Sequence, residues 1–469
     1  MAVYCVRRLG AAAFIVLVGA LAGAVAGAET LESALVKAYQ DNAQLNAQRA
    51  LVRATDENVP QALSGYRPKI GVIATLGEQR TGETAKSVQP GLPATYSSQY
   101  ETITPYSYGV SASQTLFNGF QTANKTRAAE SQVFGAREGL RALEQTVLLS
   151  AATIYMDTLR DTANVLIQRS NVTSLRQVLE QTKKRFEVGD VTRTDISQAE
   201  AQVASAETAL LAAEAQLATD SGNYETIIGL PPKDLKPGMP ADRFLPKALV
   251  AAIQTAVLEN PNVTAAMYGI DVAYLQVKVN EGSLYPSLVL QGTVQQFNSP
   301  QLGITNQFSA SVTGQLNVPL YQGGGEFSLI RQSKESLAQQ RLALDLARRQ
   351  ARAFAEQTWA QLTAAKGAVS KAQIQVTAAE DAVNGIREEM KVGQRTTFDL
   401  LNAQQVLVSA RTALIVAQHD RVVASYAVLS SVGRLSPQVL GLATPLYNPA
   451  THYYQVRDAW IGVRTPSGQ

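Results

Sequence analysis

The sequence predicts an α+β chain in which one unit of roughly 200 residues is used twice, each unit joining two strands of membrane-crossing length to two very long helices. Three observations carry this. The chain matches itself at an offset of 204 residues. Four stretches alternate apolar and polar residues with period two. The longest stretches repeat apolar residues with period seven.

The repeat is read first, because a duplicated unit decides the architecture. Placing Gly189 on Gly393 puts Asp195 on Asp399, Ala199 on Ala403, Ala206 on Ala410, Leu210 on Leu414 and Gly229 on Gly433. In TLFNGF, Leu116 and Gly119 fall on Leu320 and Gly323 of PLYQGG. Before that the offset becomes 218, so that Pro68 meets Pro286 and Asn42 meets Asn260. The additional 14 residues of the first copy fall between Leu76 and Tyr106, a polar stretch that reads as a long loop. The first repeat is expected over 29–232, with a helix from Leu31 to about Asn58, strands at about 68–78 and 104–117, long helices at about 121–230 and a tip turn at about 187–195. The second is expected over 240–436, with a helix from Pro246 to about Glu281, strands at about 286–297 and 307–320, long helices at about 325–434 and a tip turn at about 391–399. Residues 437–469 remain as a tail, equatorial or disordered.

Each strand shows one apolar and one polar face. Phe308, Ala310, Val312, Leu316 and Val318 alternate with Ser309, Ser311, Thr313, Gln315 and Asn317; Tyr106, Tyr108, Val110 and Ala112 alternate with Ser107, Gly109, Ser111 and Ser113. Ile70, Val72, Ala74 and Leu76 form a third run, and Leu288, Leu290 and Val294 a fourth. A soluble sandwich would also alternate, but four strands of about ten residues match a membrane-crossing length instead. Four strands cannot close a barrel, and an open sheet edge is not tolerated in lipid. Several chains must contribute. Two would give a filled eight-stranded barrel, and three a twelve-stranded barrel with room for a watery lumen.

The helices carry a 3, 4, 3, 4 spacing: Val376, Ala379, Val383, Ile386 and Met390, matched one repeat earlier by Val172, Leu175, Leu179, Thr182 and Phe186. After the turn, Ile196, Ala199, Val203 and Ala206 match Leu400, Ala403, Leu407 and Ala410. This is a coiled-coil seam with many small residues. The stretch from Ala123 to Val188 would form a rod near 100 Å at about 1.5 Å per residue, unless Gly135 and Gly139, or Gly367 in the second copy, bend it.

The first 28 residues read as a secretory signal peptide: Arg7 and Arg8, an apolar run from Leu9 to Val25, then Ala26-Gly27-Ala28. Cys5, the sole cysteine, lies in it, so the mature chain is expected to have neither a disulfide nor a cysteine metal site. The formal charge of +3 gives no electrostatic case for nucleic acid. Beyond the leader no run of about 20 apolar residues predicts a membrane-spanning helix.

The leader, the duplicated strand–strand–helix–turn–helix unit and the paired turns FEVGDVTRTDISQAE and MKVGQRTTFDLLNAQ resemble the TolC-family outer-membrane channel proteins across nearly the whole mature chain. VGQRTTFDLLNAQQVLVSAR is close to that family's signature, and YNPATHYYQVRDAW is similar to the tail of its type I secretion members. The resemblance implies a homotrimer in the bacterial outer membrane: a twelve-stranded barrel, four strands per chain, continued by a twelve-helix periplasmic tunnel. It implies docking of a periplasmic adaptor and an inner-membrane transporter, of RND or ABC type, and passive export of small molecules or of proteins by a type I route. It implies no enzyme activity and no cofactor.

The resemblance also assigns the tips. Arg395 corresponds to the gate arginine, Thr194 to its partner, Asp195 to the gate acid of the first copy, and Asp399 to a carboxylate facing the lumen. Val188, Gly189, Val392 and Gly393 correspond to the adaptor-contact tip. Two departures matter: Met390 stands where the family has a tyrosine, and Asn402 where it has a second acid. One three-fold carboxylate ring, from Asp399, is therefore expected as a candidate cation-sensitive constriction. A plainer local reading makes Asp195 and Asp399 helix N-caps, with Thr194 and Thr397 as alternatives. Each Val-Gly pair fits a helix end at which glycine takes φ > 0.

His419 and His452 stand without a second ligand at metal spacing, Gly323-Gly324-Gly325 lacks the lysine of a phosphate loop, and no nucleophile–base motif is present. Trp359 and Trp460 read as packing residues, and Glu388-Glu389 as a solvated face. The heptads alone would also allow a secreted coiled-coil structural or adhesin protein; the alternating strands in both copies argue against it.

Overall fold

The computed structural model describes residues 29–301, 303–466 and 468. The expected leader, 1–28 with Cys5, lies outside the described residues. The first copy runs α1 (Leu31–Asp41), α2 (Ala43–Asp56), α3 (Asn58–Leu63), β1 (Lys69–Leu76), β2 (Gln79–Ser87), β3 (Thr95–Ile103), β4 (Tyr106–Asn118), α4 (Gln121–Glu187) and α5 (Arg193–Ile228). The second runs α6 (Leu249–Glu259), α7 (Pro261–Glu281), β5 (Ser287–Gln301), β6 (Ile304–Asn317), α8 (Gly325–Lys391) and α9 (Thr397–Ser431). The tail holds α10 (Pro437–Leu440) and α11 (Ala450–Val456).

The sheet order is β1-β4-β5-β6, antiparallel throughout. Its register sorts the two faces. Across the four strands, one face shows the rows Ile70–Ala112–Gly292–Val312, Val72–Val110–Val294–Ala310 and Ala74–Tyr108–Gln296–Phe308. The opposite face shows Lys69–Ser113–Gln291–Thr313 and Gly71–Ser111–Thr293–Ser311. One face is thus an exposed apolar band and the other a hydroxyl and amide surface, the pattern of a barrel wall between lipid and water. β1 and β6 each have one edge with no partner strand among the described residues.

The stretch between Leu76 and Tyr106 is not the loop expected from its polarity. It is the hairpin β2–β3, and it continues the β1–β4 ladder in unbroken register: Leu76 faces Tyr106, the Gly77 N–H donates to the Pro105 carbonyl at 3.0 Å, and Gln79 faces Ile103. Its residues are polar on both faces because the hairpin extends past the apolar band.

α4 and α8 are each 67 residues long, about 100 Å, and run through Gly135, Gly139 and Gly367 without interruption. α5 and α9, of 36 and 35 residues, cover only about half that length. Shorter helices complete the other half. The single helices expected at 31–58 and 246–281 are in fact broken, at Asn42 and Asn260. Each asparagine ends one helix and caps the next, its Oδ1 accepting the N–H of Leu45 at 3.0 Å or of Asn262 at 2.9 Å. Each also donates Nδ2 at 3.2 Å to a last-turn carbonyl, of Ile227 or Ser431. These bonds join the start of α2 to the end of α5, and the start of α7 to the end of α9, at equivalent points of the two copies.

The main core lies where these pieces meet: Leu35, Leu45, Leu148, Tyr155, Tyr224 and Leu429 are fully enclosed. Among the described residues α9 alone is long and apolar enough to cross a membrane. It runs instead beside α8, burying Val376, Ala379 and Ala410 in a shared seam. The tail packs on the first copy: Tyr453 of α11 is buried with Val59, Ala129 and Val133, and His452 Nδ1 lies 3.0 Å from the enclosed Asp56 carboxylate.

Candidate functional site at the helix tips

Both long helices end by the same backbone device. The Gly189 N–H donates to the Phe186 carbonyl and the Asp190 N–H to that of Arg185, both at 2.9 Å; Gly393 donates to Met390 at 3.2 Å and Gln394 to Glu389 at 3.0 Å. These paired bonds form the Schellman motif, which needs a left-handed residue at its centre. Gly189 and Gly393, at φ +80° and +75°, supply it, and open space surrounds both.

The next helices start on a capping box. The N-caps are Thr192 and Thr396. This corrects the expectation that Asp195 and Asp399, or Thr194 and Thr397, hold that position. The two aspartates instead sit three residues in and reach back. Asp195 Oδ2 accepts from the N–H and hydroxyl of Thr192 at 2.8 and 2.7 Å, and Asp399 Oδ2 from those of Thr396 at 3.0 and 2.9 Å. The Thr192 hydroxyl and amide hold Asp195 below the ordinary carboxylate range, and the Thr396 amide and hydroxyl do the same for Asp399.

The tips stand side by side. Val172, Leu175, Val178, Ala199 and Val203 of the first hairpin form one buried cluster with Val383, Leu400 and Leu401 of the second, and Met390 packs partly buried against it. Thr194 and Asn402 are exposed, while Thr397 is buried. Val188 and Val392, 80% and 71% exposed, leave apolar side chains in water at both tips. Side-chain charges differ between the copies. In the first tip Arg185 pairs with Asp190 at 2.7 Å; in the second, Glu389, which occupies the place of Arg185, pairs with Arg395 at 2.9 Å. Within the chain Arg395 therefore binds its own tip rather than Thr194. Sequence reasoning missed Glu389 as its partner, although the opposite charges six residues apart across the turn were visible.

Above the tips a polar cleft of about 380 Å³ opens between α4, α8 and α9, lined by Ser170, Asn171, Asn384, Arg387 and the enclosed Gln404. No sequence signal singled it out, because its residues come from three helices. Among the described residues no group of three or more metal-ligating side chains converges. His419 lies 3.0 Å from Asp157 and 2.9 Å from Asp420; burial opposes its charged form, but these carboxylates prevail and raise its pKa.

A two-faced sheet with open edges, carried on helices of about 100 Å whose tips stand side by side, defines the subunit of an outer-membrane channel. The family model described as "Outer membrane efflux protein" matches residues 34–230 and 252–434, once over each copy. The chain belongs to that family, which is one of passive channels. It is 40% identical over 444 residues to the outer membrane efflux protein BepC of Brucella suis biovar 1 (strain 1330), covering 94% of this chain and 93% of that protein. It is 26% identical over 320 residues to the alkaline protease secretion protein AprF of Pseudomonas aeruginosa, covering 66% of each. Among solved structures, the outer-membrane channel OprN superposes with a TM-score of 0.73 at 16% identity over 86% of this chain and 89% of that one. The open state of the Neisseria gonorrhoeae MtrE channel superposes with a TM-score of 0.70 at 18% identity, over 86% and 88%. The protein is an outer-membrane export channel of TolC-like fold, its helices forming the periplasmic tunnel. A secreted adhesin is not favoured.

Proposed function

We propose that three copies of this chain close a twelve-stranded barrel and a twelve-helix tunnel, that the helix tips gate the tunnel, and that an adaptor and an inner-membrane transporter dock there. The observation that supports this most is the sorted sheet. Its lipid-type face ends at the open edges of β1 and β6, which only further strands can satisfy in a bilayer. Exposed Val188 and Val392, with Gly189 and Gly393 beside them, offer the adaptor an apolar knob at each tip. Arg395 sits outside both helices, free to exchange Glu389 for Thr194 or Asp195 of an adjacent hairpin in the assembled trimer. Asp399 then contributes one carboxylate per chain near the axis, with Asn402 adding none, as a candidate cation constriction.

Substrate class follows from the partners. The names of relatives include both efflux and alkaline protease secretion, and this chain is read as serving small-molecule efflux, type I secretion or both, with an RND or ABC transporter. Planar-bilayer conductance tests the gate: Arg395→Ala is expected to raise single-trimer conductance, and an unchanged value removes the gate assignment. A deletion strain assayed for drug sensitivity and for secreted protein separates the two cargo classes.

A further inference from the structure

The C-terminal segment runs from the helical body to the base of the sheet. α11 is fastened beside α2 and α4 through Tyr453 and His452. A few residues on, Arg67 Nη1 donates to the Ala459 carbonyl at 2.6 Å, and its guanidinium stands 4.7 Å from the centre of the Trp460 ring. Arg67 lies just before Lys69, the first residue of β1. Trp460, Ile461 and Val463 are thus carried to the rim where the apolar band begins, and they are 68%, 95% and 100% exposed.

That rim already presents exposed aromatic side chains where the sheet meets the helices: Tyr66, Phe120, Tyr285 and Tyr321. Barrels carry aromatic girdles at this level, because amphipathic rings favour the boundary between headgroups and acyl chains. Trp460 adds a ring with an apolar body and an N–H at the same level. Arg464, three residues after Ile461, adds a positive charge on the same segment.

We propose that residues 459–464 form an interfacial anchor in the periplasmic leaflet of the outer membrane, with Trp460, Ile461 and Val463 at the headgroup–acyl boundary and Arg464 on phospholipid phosphates. The occupant is lipid because the segment stands at the level of the exposed rim aromatics, leaves three apolar side chains uncovered there, and carries a charge that complements phosphate. The inference rests on the barrel crossing that membrane. Each tail then ties the helical body to the bilayer from outside the barrel.

The chain's two tryptophans make the test direct. Trp359 lies on α8 about 50 Å along the helix from Gly325, out of reach of a quencher in the bilayer. The intact protein is reconstituted in phosphatidylethanolamine–phosphatidylglycerol vesicles containing a phosphatidylcholine brominated high on its acyl chains. The Trp460 emission, taken as wild type minus Trp460→Phe, is expected to be lost to the brominated lipid and to resist aqueous iodide. Quenching by iodide alone places the segment in water and overturns the proposal. Resistance to both quenchers places it against a neighbouring copy and overturns it equally. Should Trp460→Phe fail to assemble, a nitroxide at Ile461→Cys answers by its accessibility to oxygen against aqueous nickel chelate. Co-flotation with vesicles reads the barrel separately, so a failed barrel and a failed anchor are distinguishable.

Discussion

Replacing Asn260 by alanine removes two bonds at one joint. The N-cap of α7 is lost, about 1 kcal/mol, and the Ser431 carbonyl loses its donor in a site where Asn260 is only 7% exposed, roughly 1–3 kcal/mol more. The expected loss is ~2–4 kcal/mol per chain. Over the ~440 described residues, an unfolding entropy of about 2.1 cal/mol/K per residue converts ~3 kcal/mol into a Tm lower by ~3 °C. Asn42→Ala, at the partly exposed equivalent joint, should cost less. Asn260→Asp discriminates mechanisms. Aspartate caps as well as asparagine, but it cannot donate to Ser431 and would set a carboxylate against that carbonyl. Calorimetric melting of the purified protein should therefore show Asn260→Asp at least as destabilised as Asn260→Ala. A wild-type Tm for Asn260→Asp would refute the joint and leave a simple cap.

Glu144 lines a cavity of about 620 Å³ near the ends of α6 and α9, and burial pushes its pKa from 4.5 to about 6 against the attraction of Arg49 and Arg141. The folded chain holds this proton more tightly than the unfolded one, so its contribution is full below 4.5 and falls by about 2 kcal/mol as pH rises through 6; Glu144→Gln should abolish that slope in Tm against pH, and parallel curves would contradict it. Asp195 and Asp399 run the other way: their cap contributions are present above the ordinary value of 3.8 and are lost as pH falls through their lowered values. At neutral pH, Thr396→Ala should speed amide exchange in the first turn of α9 and leave α5 unchanged; equal rates in α9 would show that the box does not hold that end. Deleting 79–103, whose two strands pair with each other beyond the β1–β4 ladder, should leave the proposed trimer intact in detergent by size-exclusion chromatography; loss of the trimer would give the hairpin a part in assembly.

The strands of the barrel wall were legible because lipid on one side and water on the other impose period two, and the register places Ile70, Val72, Ala74, Val110 and Val312 on a single face. The same physics hid β2 and β3. Outside lipid neither face need be apolar, so pairs such as Thr84–Ser98 and Ala85–Ser97 carry no alternation to read. The matched Asn42 and Asn260 were visible, but their role was not, since Ile227 and Ser431 lie far along the chain. The cap was misplaced for a local reason. Thr192 and Thr396 stand three residues before Asp195 and Asp399, the spacing of a capping box, but Asp195 and Asp399, and the nearer hydroxyls of Thr194 and Thr397, are cap residue types too and compete for the same position in the sequence.

The tips show which part of a duplicated turn is free to diverge. Both copies keep the left-handed glycine, the Schellman bonds and the reciprocal cap, because reversing a helix within a few residues leaves little choice of backbone. The ion pair is not bound by that requirement, and it reverses polarity at equivalent positions, Arg185 against Glu389. Arg185 belongs to the last turn of α4 and is held by the helix; Arg395 lies in the loop, just before the Thr396 cap, with its long side chain in water. An exposed pair of that kind is weakly held and readily exchanged. Of the two tips, the second therefore carries the cation that can change partners without disturbing either helix. The gate proposed at the tips needs such a group, one whose release leaves the tunnel wall intact.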